Sequence, residues 1–170
     1  MVLGVDPGTT HTGYGVITDV RGQLTALDWG VISPRPSLSL PDKLHTIHMA
    51  LQACIELYHP DTMAVEALFF AKNVRSAVTL AHARGVALLT AATAGLAVAE
   101  YSPLEVKQAV VGYGRADKGQ VQAMVRVLLS VCEPLPEEDA ADALAVALCH
   151  MQGRRVRTTL ASLLATRSRR

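Results

Sequence analysis

The chain has 170 residues, half of them apolar and only 4% aromatic, which is enough for one domain with a core of Ala, Val, Leu and Ile and excludes a disordered chain. The net charge of +1 splits into +6, from six arginines after Asp142 where no Asp or Glu occurs, and −5 before that point. An acidic body with a basic tail suits a polyanion contact; a solvated terminus is the plain alternative.

Cys54, Cys132 and Cys149 are an odd number in no CxxC spacing, so they read as small apolar residues of a reducing compartment and argue against a zinc site. The start of the chain reads as a strand rather than a signal peptide, and the weakly polar run 85–99 is too short to span a membrane. A soluble, cytoplasmic protein is expected.

Residues 2–6 (VLGVD) form a short buried strand. Residues 12–20 and 23–33 alternate about a turn at Arg21-Gly22 and predict a hairpin. The segment 34–41, with three prolines, is a loop. Leu44, Ile47, Leu51, Ile55 and Tyr58 have helical spacing over 42–58, and Pro60 stops that helix. Residues 62–66 (TMAVE) are the next strand. A long helix follows over about 72–94, then a strand at 96–101 and helices near 103–111, 118–131 and 137–152.

This order predicts an α/β fold, an RNase H-like mixed five-stranded sheet flanked by helices. It divides the chain into a domain at 1–152 and a flexible basic tail at 153–170. The second half of the long helix, 85–92, is apolar on nearly every side and must be covered, either by this domain or by a second copy. Its small residues Ala81, Ala83, Gly85 and Ala87 favour a two-fold dimer.

Four acids stand where stability alone does not call for them. Asp6 ends the first strand and opens the turn Asp6-Pro7-Gly8-Thr9-Thr10; Glu66 ends the apolar strand Met63-Ala64-Val65. In this layout the two strands are neighbours, so the carboxylates face each other and repel unless a cation or a proton lies between them. The bland readings are an Asp bonding its own turn and a Glu turned to solvent. Asp139 and Asp142 share a face at the start of the last helix, ahead of the apolar run 143–148. First-turn acids favour the helix dipole, which accounts for Glu137 and Glu138 but poorly for Asp142, one turn further in. Spacing alone leaves Glu138 with Asp142 as an alternative pair. Hard oxygen donors without cysteine point to Mg²⁺, with Mn²⁺ as a substitute. Four carboxylates can hold two such ions roughly 3.5–4 Å apart for phosphodiester hydrolysis.

Basic residues gather near these acids: Lys72 and Arg75 after Glu66, Lys107, and Arg115 and Lys118 around the loop 112–117. Asp117 and Gln120 have capping-box spacing, which puts Lys118 in a first helical turn. Such cations give salt-sensitive, sequence-blind phosphate contacts; each taken singly is also an ordinary surface charge. Phe69 and Phe70, the two Phe residues, follow Glu66; one exposed ring there could stack on an unpaired base while the other is core. The six histidines are scattered and read as structural or solvent-exposed.

Several stretches together resemble one family. Val2-Leu3-Gly4-Val5-Asp6-Pro7-Gly8 with Thr12-Gly13-Tyr14-Gly15, Val65-Glu66-Ala67-Leu68-Phe69-Phe70-Ala71-Lys72-Asn73, Ala83-Arg84-Gly85-Val86, residues 106–112 and Asp139-Ala140-Ala141-Asp142-Ala143-Leu144-Ala145 are similar, in colinear order over 1–152, to the RuvC family of bacterial Holliday-junction resolvases. The resemblance implies a homodimer that binds four-way junction DNA and makes paired symmetric nicks with Mg²⁺ in recombination and repair. A branch-migration helicase complex of the RuvA and RuvB type is the implied partner. The resemblance assigns the acidic tetrad to Asp6, Glu66, Asp139 and Asp142, resolving the Glu138 alternative. It matches Lys107 and Lys118 to cleft lysines and Phe69 to a base-contacting aromatic.

Two rival readings remain. The turn at Asp6 also resembles the phosphate-binding turn of actin-like ATPases and sugar kinases, but those need two such domains and give Asp139 and Asp142 no role. A junction-binding protein without catalysis would not need four carboxylates.

Overall fold

The structure, a computed structural model, describes residues 1–67, 74–131 and 137–167, with side-chain detail for 1–67, 77–131 and 137–155. Its five strands are β1 (Val2–Asp6), β2 (Thr12–Val20), β3 (Gln23–Ile32), β4 (Thr62–Glu66) and β5 (Ala97–Tyr101). They form one sheet in the order β3-β2-β1-β4-β5. β1, β2 and β3 are antiparallel neighbours, whereas β4 and β5 run parallel to β1. This is the mixed RNase H-like sheet expected from the element order. The hairpin turn holds Arg21 and Gly22 at φ of 53° and 89°, as a tight two-residue turn of this hand requires.

Among the described residues, five helices cover the two faces: α1 (Leu40–Tyr58), α2 (Val74–Thr93), α3 (Pro103–Val111), α4 (Lys118–Leu129) and α5 (Glu138–Arg167). α1 starts two residues before the expected 42, because Ser39 caps it and Pro41 suits its first turn. His59, in the left-handed conformation, ends it. α5 departs most from expectation. It runs on from 152 to Arg167, through residues set apart above as a flexible tail.

Strand alternation decides which side chain faces which layer. Leu3, Val5, Val16, Met63 and Val65 pack with Ile47, Leu51 and Ile55 of α1 and Ala83, Ala87 and Ala91 of α2. Val2, Ile17 and Ala64 pack on the opposite face with Leu144 and Leu148 of α5, Val106 and Val110 of α3 and Val121 and Val125 of α4. Asp6 and Glu66 therefore share parity with Val2 and Ala64 and turn toward α5.

α5 lies on the sheet with almost no spacing. A methyl group added at Gly4 would fall 2.1 Å from the Ala143 carbonyl oxygen, and one at Gly13 would fall 1.9 Å from that of Asp139. Only glycine permits this approach. Further along, the Arg155 guanidinium grips Asp19 at 2.7 Å and the Gly22 carbonyl at 2.7 Å, so this part of the basic segment is fastened to the β2–β3 turn. Cys54 and Cys149 carry free thiols, and Cys132 lies outside the described residues. Among the described residues, no helix is long and apolar enough to cross a membrane.

Candidate active site

The parallel pairing of β1 with β4 matches Val5 to Val65, which brings Asp6 and Glu66 to adjacent strand ends. On the other side Asp6 is paired with Gly13, the residue over which the start of α5 rests. Asp139 and Asp142 thus arrive above the same edge. All four carboxylates line one cleft of about 320 Å³. Lys107 and Lys118 line it too, and Pro103, Val106, Val121, Ala145 and Val146 form its apolar walls. A larger cavity, about 610 Å³, lies elsewhere beside Met1 and Arg154, but its one acid, Asp19, is committed to Arg155.

Crowded acids in apolar walls hold protons more tightly. Burial pushes the Asp6 carboxyl up to about 8, helped by the charges of Glu66, Asp142 and Asp139 and opposed by Lys118. Burial also raises Glu66, with Asp142 adding to the rise, while a hydrogen bond with Asp6 and the two lysines pull it back. Asp142 is raised by burial against the pull of Lys118. This is a hard-oxygen donor set in surplus over its two cations, and a divalent ion would relieve the repulsion. The residues therefore fit a Mg²⁺-type cation.

The expected capping box is present: Asp117 accepts from Gln120 N at 2.9 Å, and Gln120 accepts from Asp117 N at 3.0 Å. It fixes Lys118 in the first turn of α4. The Lys118 ammonium pairs directly with Glu138 and sits 3.5 Å from Asp142 Oδ2. The Glu138 contact holds the ammonium above its usual pKa. Arg115 is exposed on the loop before α4 and is not part of the cleft lining. Phe69 and Lys72 lie outside the described residues; Arg75 is in the first turn of α2, with its side chain outside them.

His11 was missed as a candidate. Its ring, together with Glu137 and Asp139, forms a trio whose ligand atoms lie within 4.8 Å of one another at the cleft rim, and its Nδ1 is 3.0 Å from Ser33 Oγ. The only signal for it was its place in the turn after Asp6, where no periodicity tells which way a side chain points.

The family model for crossover junction endodeoxyribonuclease RuvC matches residues 2–150. The chain belongs to the RuvC family. Its relatives include RuvC of Syntrophotalea carbinolica, 55% identical with 88% of this chain and 92% of the relative covered. RuvC of Syntrophomonas wolfei is 49% identical, with 95% and 94% covered. Among solved structures, Thermus thermophilus RuvC in complex with a Holliday junction substrate superposes with a TM-score of 0.86 at 35% identity, covering 92% of this chain and 96% of that one. A yeast mitochondrial Holliday junction resolvase, at 13% identity and a TM-score of 0.64, shares the fold. The RuvC family match contains all four acids and ends before the arginines that begin at Arg154.

Proposed function

We propose that this protein is a divalent-cation-dependent endonuclease that resolves four-way DNA junctions by paired symmetric nicks, with Asp6, Glu66, Asp139 and Asp142 as the cation-holding residues. The observation that carries this reading is that carboxylates from three remote stretches line one small cleft beside Lys107 and Lys118. The T. thermophilus relative, solved with a Holliday junction substrate, supplies the substrate class.

Mg²⁺, when bound, supplies Lewis-acid stabilisation of the phosphoryl charge and acidifies water; Mn²⁺ suits the same donors. Asp6 and Glu66, turned to one side by strand parity, would hold it from the sheet, and Asp139 and Asp142 would hold it from α5. Lys107 and Lys118 orient the scissile phosphate, and the apolar walls exclude water so that each charge acts more strongly. Phe69 stacks on an unpaired base, while Lys72, Arg75, Arg115 and the arginines beyond Arg155 hold the flanking phosphates. A branch-migration helicase complex is the inferred partner and the cytoplasm the inferred compartment.

Symmetric nicking needs two clefts, and α2 supports a homodimer. Its inner face, Ala83, Ala87 and Ala91, is buried on the domain, while its outer face exposes Val78, Ala81, Gly85, Leu89 and Ala92. The domain does not itself enclose this apolar helix, and a second copy would cover it.

The test is a labelled synthetic four-way junction incubated with and without Mg²⁺. Symmetric nicks that require the cation are expected. Asp6→Asn should remove cleavage while binding in Ca²⁺ stays within about twofold, since a cation ligand contributes to chemistry more than to phosphate contacts. Equal loss of both would make Asp6 a structural residue and sink the assignment.

A further inference from the structure

We infer that Glu138 is a positioning residue: it holds the Lys118 ammonium on the outer side of the carboxylate cluster and so keeps Asp142 available to a divalent cation. This rests on the reading of the cleft as a cation-dependent nuclease site and deepens it.

The backbone at Lys118 is fixed by the Asp117–Gln120 capping box, but its side chain is long and mobile in rotamer space. Two acids lie within its reach, Glu138 and Asp142, one turn apart on the same face of α5. The ammonium is shared: it is in direct contact with Glu138 and in a looser ion pair, at 3.5 Å, with Asp142, so Glu138 draws it part of the way off Asp142. Glu138 is half exposed and does not line the cleft, whereas Asp142 is three-quarters covered and does. Their roles are therefore separable. If Glu138 were neutral, the nearest acceptor for Lys118 would be Asp142, and a monovalent cation would compete there with the divalent one. With Glu138 charged, Lys118 stays at the mouth of the cleft, where an incoming phosphate meets it first. A first-turn acid also favours the α5 dipole whatever its partner, so the test must separate the two effects.

The experiment measures Mn²⁺ binding to the full chain without DNA, by the electron paramagnetic resonance of free Mn²⁺. Four proteins are compared: wild type, Glu138→Gln, Lys118→Met and the double variant. Glu138→Gln should weaken Mn²⁺ binding by about threefold or more, and Lys118→Met should bind at least as tightly as wild type. In the Lys118→Met background Glu138→Gln should change affinity less than about 1.5-fold, because its action passes through the lysine. Wild-type affinity in Glu138→Gln, or an equal loss in both backgrounds, would overturn the inference and leave the nuclease reading standing. Absence of Asp6-dependent Mn²⁺ binding in wild type would overturn both.

Discussion

Asp6 owes its character first to burial at the strand end and then to three facing acids. A strand-end aspartate in water titrates at its ordinary 3.8; here burial and the facing acids hold it near 8. In protein freed of divalent ions, the folded chain therefore keeps a proton between those values that the unfolded chain has released. Folding binds the extra proton, so stability falls as pH rises from about 4 to about 8. Asp6→Asn should remove most of that slope and raise metal-free stability at pH 8 by at least about 1 kcal/mol, since one pKa unit corresponds to about 1.4 kcal/mol. Urea unfolding in chelator at pH 5 and pH 8 reads it; parallel slopes in the two proteins would refute the crowding of these acids. Asp6, Glu66 and Asp142 were legible in the sequence, because an acid that ends an apolar strand, or sits a turn inside an apolar helix, conflicts with its surroundings; Asp139 was told from Glu138 by the family resemblance alone. The link from Lys118 to Glu138 was not legible, since it joins two helices through long side chains that leave no periodic trace.

At the scale of elements, the strands and the first four helices follow their sequence signals within a few residues, because each is bounded by a turn, a proline or a cap. α5 does not. Its apolar pattern weakens after Met151, yet nothing there breaks a helix: Gly153 is a lone interior glycine, and Arg, Leu and Ala continue at good helical propensity. Burial sets the inner part of this helix and propensity sets the rest, and a reading by hydrophobic period sees only the former. The close seat of α5 on β1 and β2 yields a sharp expectation. Gly13→Ala forces a methyl against the Asp139 carbonyl, so it should cost about 1–3 kcal/mol of stability. By displacing the first turn of α5 it should also slow nicking at least about tenfold. A thermal melt with a nicking assay checks both; full activity would mean that the start of α5 can shift freely without harm to the cleft.

For the whole molecule, the outward face of α2 is the feature a single chain leaves unfinished. The sequence showed that this helix needs cover on all sides but not which side the domain supplies, because small residues line both faces. Leu89, 63% exposed at the middle of that face, is the point to change. Leu89→Glu should give a folded monomer in sedimentation at concentrations where the native chain is a dimer, since a charge buried unpaired at an interface is strongly unfavourable. It should also uncouple the two nicks. A monomeric native chain would remove the dimer from the account.

The site is also divided in time. Asp6 and Glu66 leave the ribosome before Asp139 and Asp142, which ride on α5, and that helix can seat only where Gly4 and Gly13 leave it room. A nascent chain that stops short of Glu138 holds half of the acids and no roof over them. Synthesis thus delays the complete constellation until α5 has emerged, and an abandoned fragment carries no assembled blade.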